Sequence, residues 1–325
     1  MHRRIDGQGG RRMLACAVAL AGAGLAPAAF AQQGAPAPGS LDTHYNACRG
    51  TNPNCYNDWG AFANTPNKVL IYSRTAGPRH ANLGPALAPG LNPPLAAANA
   101  VQNGLIRLLA AEGIQADWTE DVARMTSLNG YKAIIFASPT RDALWDHSKT
   151  AAGGTQLDAA RHALRQYMRR GGGFVGIHNA FGTEYNWPYY EGLLGNANFY
   201  DHGANQDGTV QVVNKNDAST EMLPDNFGFK DEWYTLMPFP TNVKFLLTVD
   251  TNSLATKRGT HPGHGSFHPV SWCQYYDGGR SWVTTLGHDG GAFAADTSTF
   301  RGAAEFQKHI VAGIKSAMGL VPFCR

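Results

Sequence analysis

Charged residues are scarce in this chain: Asp, Glu, Lys and Arg together make up 16% of 325 residues. No long run of Lys or Arg occurs, so the electrostatic footprint of nucleic-acid binding is missing and nucleic acid is not an expected partner. Cysteine is sparse as well, with five residues and no C-x-x-C pair, which argues against a zinc site built from thiolates. The apolar run from Met13 to Ala23 is too short to cross a bilayer. No internal repeat is visible.

What the chain has at its start is a targeting segment. Arg3, Arg4, Arg11 and Arg12 precede the apolar run, and Ala29-Phe30-Ala31 supplies an A-x-A cleavage site before Gln32. Residues 1–31 are expected to be a removable signal peptide, and the protein periplasmic or secreted, with no membrane attachment after cleavage. That segment holds four of the 27 basic residues and one of the 24 acidic ones, Asp6. The formal charge of +3 therefore falls to zero in the mature chain, with 23 residues of each sign. Export places Cys48, Cys55, Cys273 and Cys324 in an oxidising compartment, where three pairings are open to them. Cys48 and Cys55 flank a turn-rich loop and are expected to pair. Cys273 then pairs with Cys324 and pins the C-terminal tail, or remains a buried free thiol. Residues 32–67 read as a Pro/Gly/Ala-rich tether followed by a cysteine-containing cap.

The stretch from Gly171 to His178 organises the remainder. Phe174-Val175-Gly176-Ile177 is too short for a helix and reads as a strand buried on both faces. A helix precedes it, with Thr155 and Asp158 at capping-box spacing and Leu157, Ala160, Leu164, Tyr167 and Met168 on one face. Gly171 stops that helix, and Gly172 and Gly173 turn the chain back. His178 thus ends a strand of an α/β sheet, where ligands bind. Gly176 and Ala180 flank it as small residues flank the nucleophile of a nucleophile elbow, with imidazole in place of serine or cysteine. A hydrogen-bonded structural role is the competing reading of His178.

Further strands are expected at Lys68–Tyr72, Ile114–Trp118 and Ala133–Phe136, with a helix through Ala97, Val101, Leu105 and Leu109. Strands alternating with helices predict a single α/β domain with a doubly wound, mostly parallel sheet, its Val175 strand central and parallel to those of Ile71 and Ile135. Later strands are expected around Val210–Val212, Lys244–Thr248 and Ser281–Thr285, and a last helix from Thr299 to Met318. On this frame His80, His178 and His288 all fall at or beyond carboxyl strand ends. In Asp231-Glu232-Trp233-Tyr234, an extended backbone turns Glu232 and Tyr234 to one side and Asp231 and Trp233 to the other. His261, His264 and His268 form a third group, near Trp272.

Five motifs recur in order: Thr75-Ala76-Gly77 leading to His80, Gly171 to His178, Asp231 to Tyr234, His268-Pro269-Val270-Ser271-Trp272, and Gly279-Arg280 leading to Gly287-His288. In this order they resemble the ThuA-like (trehalose-utilisation) family, over about Lys68 to Gly319, with residues 320–325 as a C-terminal tail. Asp217-Ala218-Ser219-Thr220 departs from the His-Pro that the family often shows before the acidic motif. The resemblance implies a flavodoxin-like sheet of the class I glutamine amidotransferase type and a part in disaccharide or keto-sugar catabolism. No serine or cysteine adjoins His178, so acyl-cysteine glutaminase chemistry is excluded. Two functions follow. The first is an enzyme on a small-molecule carbohydrate with His178, Glu232, Tyr234 and His288 as catalytic groups. In it His80, Trp233, His268 and Trp272 bind substrate, and two or three of His80, His178, Glu232 and His288, the three histidines foremost, hold a divalent metal such as zinc. The second is a non-catalytic carbohydrate-binding module, with Trp187, Tyr189, Tyr190, Trp233 and Trp272 stacked on sugar faces. Adjacent Asp231 and Glu232 cannot readily flank one glycosidic bond from opposite sides. Convergence of the histidines on one point distinguishes the two.

Overall fold

The computed structural model describes residues 41–58, 60, 62–145, 159–256 and 260–325. The expected signal peptide and most of the tether, and Thr155, Leu157 and Asp158 of the expected capping box, lie outside the described residues. In chain order the elements are β1 (Leu41–Asp42), β2 (Ala47–Gly50), β3 (Lys68–Tyr72), α1 (Ala100–Ala111), β4 (Gln115–Thr119), β5 (Ala133–Ala137), α2 (Ala159–Arg169) and β6 (Gly173–Ile177). There follow α3 (Pro188–Leu193), β7 (Phe199–Val212), β8 (Asn226–Leu236), β9 (Lys244–Asp250), β10 (His268–Tyr276), β11 (Gly279–Thr284) and α4 (Ala303–Ala317).

One sheet runs β4-β3-β5-β6-β11-β10-β9-β7-β8, with β2 pairing β10 and β1 pairing β2. From β4 to β11 every pairing is parallel. In chain order these strands lie second, first, third, fourth and fifth, which is the flavodoxin-like arrangement. Val175 sits opposite Ile135 on one side and Trp282 on the other, so its strand is interior, as expected. Alternation along the strands feeds two cores. Val69, Ile71, Ile135 and Val175 pack with Val101 and Leu105 of α1 and with Phe306 and Ile310 of α4. Leu70, Tyr72, Ile134 and Phe174 pack with Leu164 and Met168 of α2. Each such side chain, fully buried, contributes roughly 1.5–3 kcal/mol.

The expectation of a mostly parallel, doubly wound sheet needs correction: the sheet is mixed. From β11 to β8 every pairing is antiparallel. The reason is local. Asp277 and Gly278, with φ of 48° and 103°, form the two-residue turn between β10 and β11. Such a turn favours a hairpin, and parallel strands need a much longer crossover.

The glycine hinge before β6 behaves as its composition demands. Gly171 has φ 92°, the left-handed conformation that ends a helix cheaply only as glycine. A Cβ on Gly173 would fall onto the carbonyl oxygen of Ala317, so α4 packs directly against the start of β6. Both expected disulfides are present, Cys48–Cys55 and Cys273–Cys324. They fit an oxidising compartment. Among the described residues no helix is long and apolar enough to cross a membrane.

On the inner face of α4, fully buried His309 contacts the carbonyl of Ser219 at 2.8 Å and the hydroxyl of Ser271 at 2.9 Å. Burial lowers its pKa from 6.5 to about 4, a difference worth about 3 kcal/mol. The unfolded chain takes up this proton at higher pH, so the contribution is present above 6.5 and lost as pH falls towards 4. His309→Gln should therefore lose less thermal stability than the parent when both are taken from about pH 7 to about pH 4.5. Parallel melting curves of the two proteins across that range would refute this.

Candidate functional site

Four segments converge beyond the carboxyl ends of the parallel strands. The loop after β3 carries His80. Its course is set by Arg79, whose guanidinium donates to the carbonyls of Gly84 at 2.6 Å and Leu83 at 3.0 Å and to Glu120 Oε1 at 2.8 Å. Asn82 ties this loop to the one after β11, donating from Nδ2 to the carbonyls of Gly287 at 3.0 Å and His288 at 2.6 Å. Asp231 of β8 holds that second loop from the other side. Its carboxylate accepts the N–H of Gly287 at 2.7 Å and of His288 at 3.3 Å.

His178 follows β6 with φ 50°, a left-handed backbone uncommon for a residue with a side chain and in keeping with an elbow. Its ring is completely buried. Nδ1 donates to the carbonyl of Thr285 at 2.8 Å, which places the proton there and leaves Nε2 as the acceptor. Nε2 takes the hydroxyl of Tyr234 at 2.8 Å. It also lies 3.3 Å from His288 Nδ1 and 3.8 Å from Glu232 Oε2. Glu232 Oε2 is 3.0 Å from His288 Nδ1 and 3.6 Å from His202 Nε2. The ring of His80 meets those of His178 and His288 edge to face, with centroids 4.9 and 5.4 Å away. One nitrogen or carboxylate oxygen from each of His80, His178, Glu232 and His288 falls within 4.8 Å of all the others.

This set suits a divalent metal of the zinc type: three imidazoles, one carboxylate, and a ring whose far nitrogen is fixed by a carbonyl. His80 Nδ1 is buried without a hydrogen-bond partner, as expected of an atom awaiting one. Burial, then the neighbouring His288, lowers His80 to about 4. Burial, then His80, lowers His178 well below its usual value. Both rings are therefore neutral and able to ligate. Glu232 is held down by its hydrogen bond to His288 and by that ring's charge, against the upward push of burial. Burial raises Asp231 to about 7 in spite of its backbone donors.

A cavity of about 270 Å³ opens on this cluster, walled by His80, His202, Glu232, Tyr234, Tyr185 and Arg141 among others. The ThuA family, described as trehalose utilisation, matches residues 68–317. The chain belongs to the ThuA family. A ThuA-like protein from Bacteroides uniformis superposes with a TM-score of 0.54 at 22% identity, over 78% of this chain and 91% of that one. A second, from Parabacteroides merdae, gives 0.53 at 17% identity, over 78% and 90%. At these identities the likeness establishes the fold. No curated protein matches.

Within this ThuA domain the structure gathers His80, His178, Glu232, Tyr234 and His288, and separates the other expected residues from them. Trp272 is the clearest correction. Its strand β10 is interior and buried throughout, so the indole is fully enclosed, donating to the carbonyl of Leu194 at 2.8 Å. Tyr189 and Tyr190, on α3, are buried as well. Trp233 and His268 face a different cavity, across β8 from Glu232. His202, Asn82, Arg141 and Tyr185 were not anticipated. His202 sits in β7, whose first half, with Gly203, Asn205, Asp207 and Gly208, carries the composition of a turn. The role of Asp231 as the clamp on the His288 loop was missed also, although the alternation that turns it away from Glu232 was legible.

Proposed function

We propose that this exported ThuA-family protein is a sugar-active enzyme. In this reading its crevice holds a divalent metal on His80, His178, Glu232 and His288 and processes a disaccharide or its keto derivative. The convergence of those four ligand atoms within 4.8 Å carries the reading, because binding a neutral sugar does not require it. When bound, the metal would polarise a substrate oxygen as a Lewis acid. The chain's own groups supply the rest. Tyr234, its hydroxyl pKa raised by burial and then by Glu232 and Asp231, stays protonated. It donates to His178 Nε2 in this structure, and with that nitrogen on a metal the hydroxyl would be free to donate to substrate instead. Glu232 and His202 face the cavity as the pair able to take and return a proton next to a sugar carbonyl. Among the described residues Glu232 is the one carboxylate that lines the cavity, which favours this over the paired-carboxylate chemistry of ordinary glycosidases. Export rests on the A-x-A site before Gln32 and the two disulfides.

Elemental analysis of protein purified without chelator, followed by a screen of disaccharides and keto-disaccharides, tests the reading. The expected result is about one metal per chain, with Glu232→Ala lowering affinity by 10–100-fold or more, as outer ligand losses already do. Full turnover by metal-free protein, or no uptake of zinc, manganese or nickel, would refute it.

A further inference from the structure

We propose that the cavity on the opposite face of β8 is a second ligand site, built for a neutral polyol the size of a monosaccharide. Its volume is about 300 Å³, at the lower end of the roughly 300–1,000 Å³ range of small-molecule sites. Alternation along β8 separates it from the crevice: Glu232 and Tyr234 face the crevice, while Trp233 and Thr235 face this cavity.

Its described lining is neutral and two-handed. Among the described residues none that lines it is a carboxylate, a lysine or an arginine. The polar wall offers Asn252, Thr235, Ser266 and two histidines, and the apolar wall Trp233 and Leu254. The proton on each histidine is placed by a backbone partner. His264 Nε2 accepts the N–H of Leu236 at 2.9 Å, so its Nδ1 carries the proton and is a donor. His268 Nε2 donates to the carbonyl of Tyr234 at 2.8 Å, so its Nδ1 keeps a lone pair and is an acceptor. His268 is 4% exposed. Burial, then His268, lowers His264 to about 4, and burial lowers His268 as well, so both rings hold these roles at neutral pH. A carboxylate can only accept and an ammonium can only donate. A hydroxyl does both, and adjacent hydroxyls on a sugar ring match a neighbouring donor and acceptor.

The site is separable from the crevice by calorimetric titration with D-glucose. Binding should survive Glu232→Ala, which alters only the crevice side of β8. It should weaken about fivefold to tenfold in Asn252→Ala, the loss of one or two neutral hydrogen bonds. Asn252 is exposed, so this variant should fold like the parent. Gluconate, similar in size but anionic, should bind much more weakly. No binding of glucose, binding abolished by Glu232→Ala, binding indifferent to Asn252→Ala, or equal affinity for gluconate would each overturn the proposal.

Discussion

His178→Asn is expected to lose metal and turnover while melting close to the parent, whereas His178→Ala should lose both function and stability. The two rings of contact around His178 explain the difference. Its Nδ1–H satisfies the carbonyl of Thr285 and its Nε2 accepts from Tyr234, all in a fully buried setting. Alanine leaves the Thr285 carbonyl bare, at about 1–3 kcal/mol, and leaves the Tyr234 hydroxyl only its long 3.4 Å contact with Asn179 Oδ1. An expectation of unchanged stability for alanine, reasonable for a histidine on a crevice wall, therefore fails for this enclosed one. Asparagine is different, because it tolerates the left-handed backbone of φ 50° and can still donate an amide N–H to Thr285. It cannot place a ring nitrogen among His80, Glu232 and His288. Loss of one acid–base or ligand group should lower turnover by about 10²–10⁴-fold. Metal content, turnover and thermal melts of both variants decide the matter. An asparagine variant that keeps its metal and its activity would reduce His178 to a structural residue.

The disulfide between Cys273 and Cys324 is expected to have the larger effect on stability of the two. Its cysteines are 51 residues apart in sequence, and closing a loop of that length in the unfolded chain is worth about 4 kcal/mol on the chain-entropy account. Cys48 and Cys55 are only 7 apart, worth about 2.5 kcal/mol on the same account. The double variant Cys273→Ala/Cys324→Ala should lose roughly the larger amount in urea denaturation. The tail should stay docked in the native state. Phe323 still meets the ring of Tyr275, with centroids 5.1 Å apart, and the N–H of Arg325 still donates to Asp217 at 3.2 Å. Metal content and turnover should be unaffected. A double variant as stable as the parent, or a parent in which Cys273 and Cys324 titrate as free thiols, would contradict this.

The sequence by itself determined the parallel half of the sheet and the identity of the converging residues. Strands β3, β5 and β6 are covered on both faces, so burial writes them as short continuous apolar runs. Each such strand delivers the residues just beyond its carboxyl end to one edge of the sheet, which is why His80, His178 and His288 could be grouped without coordinates. Glu232 and Tyr234 were assigned a common side by the period of two alone. The tertiary structure decided the rest. The Asp277–Gly278 turn was a legible hairpin signal, but the long β7 was not, since its bulged, polar first half alternates imperfectly and carries turn-forming residues. The fates of Trp272 and Trp233 were equally out of reach. An indole looks the same in sequence whether it faces a sugar or a second layer of protein, and what covers a strand's far face comes from segments distant in the chain. The same limit applies to His178, whose two ring partners, Thr285 and Tyr234, are brought to it only by folding.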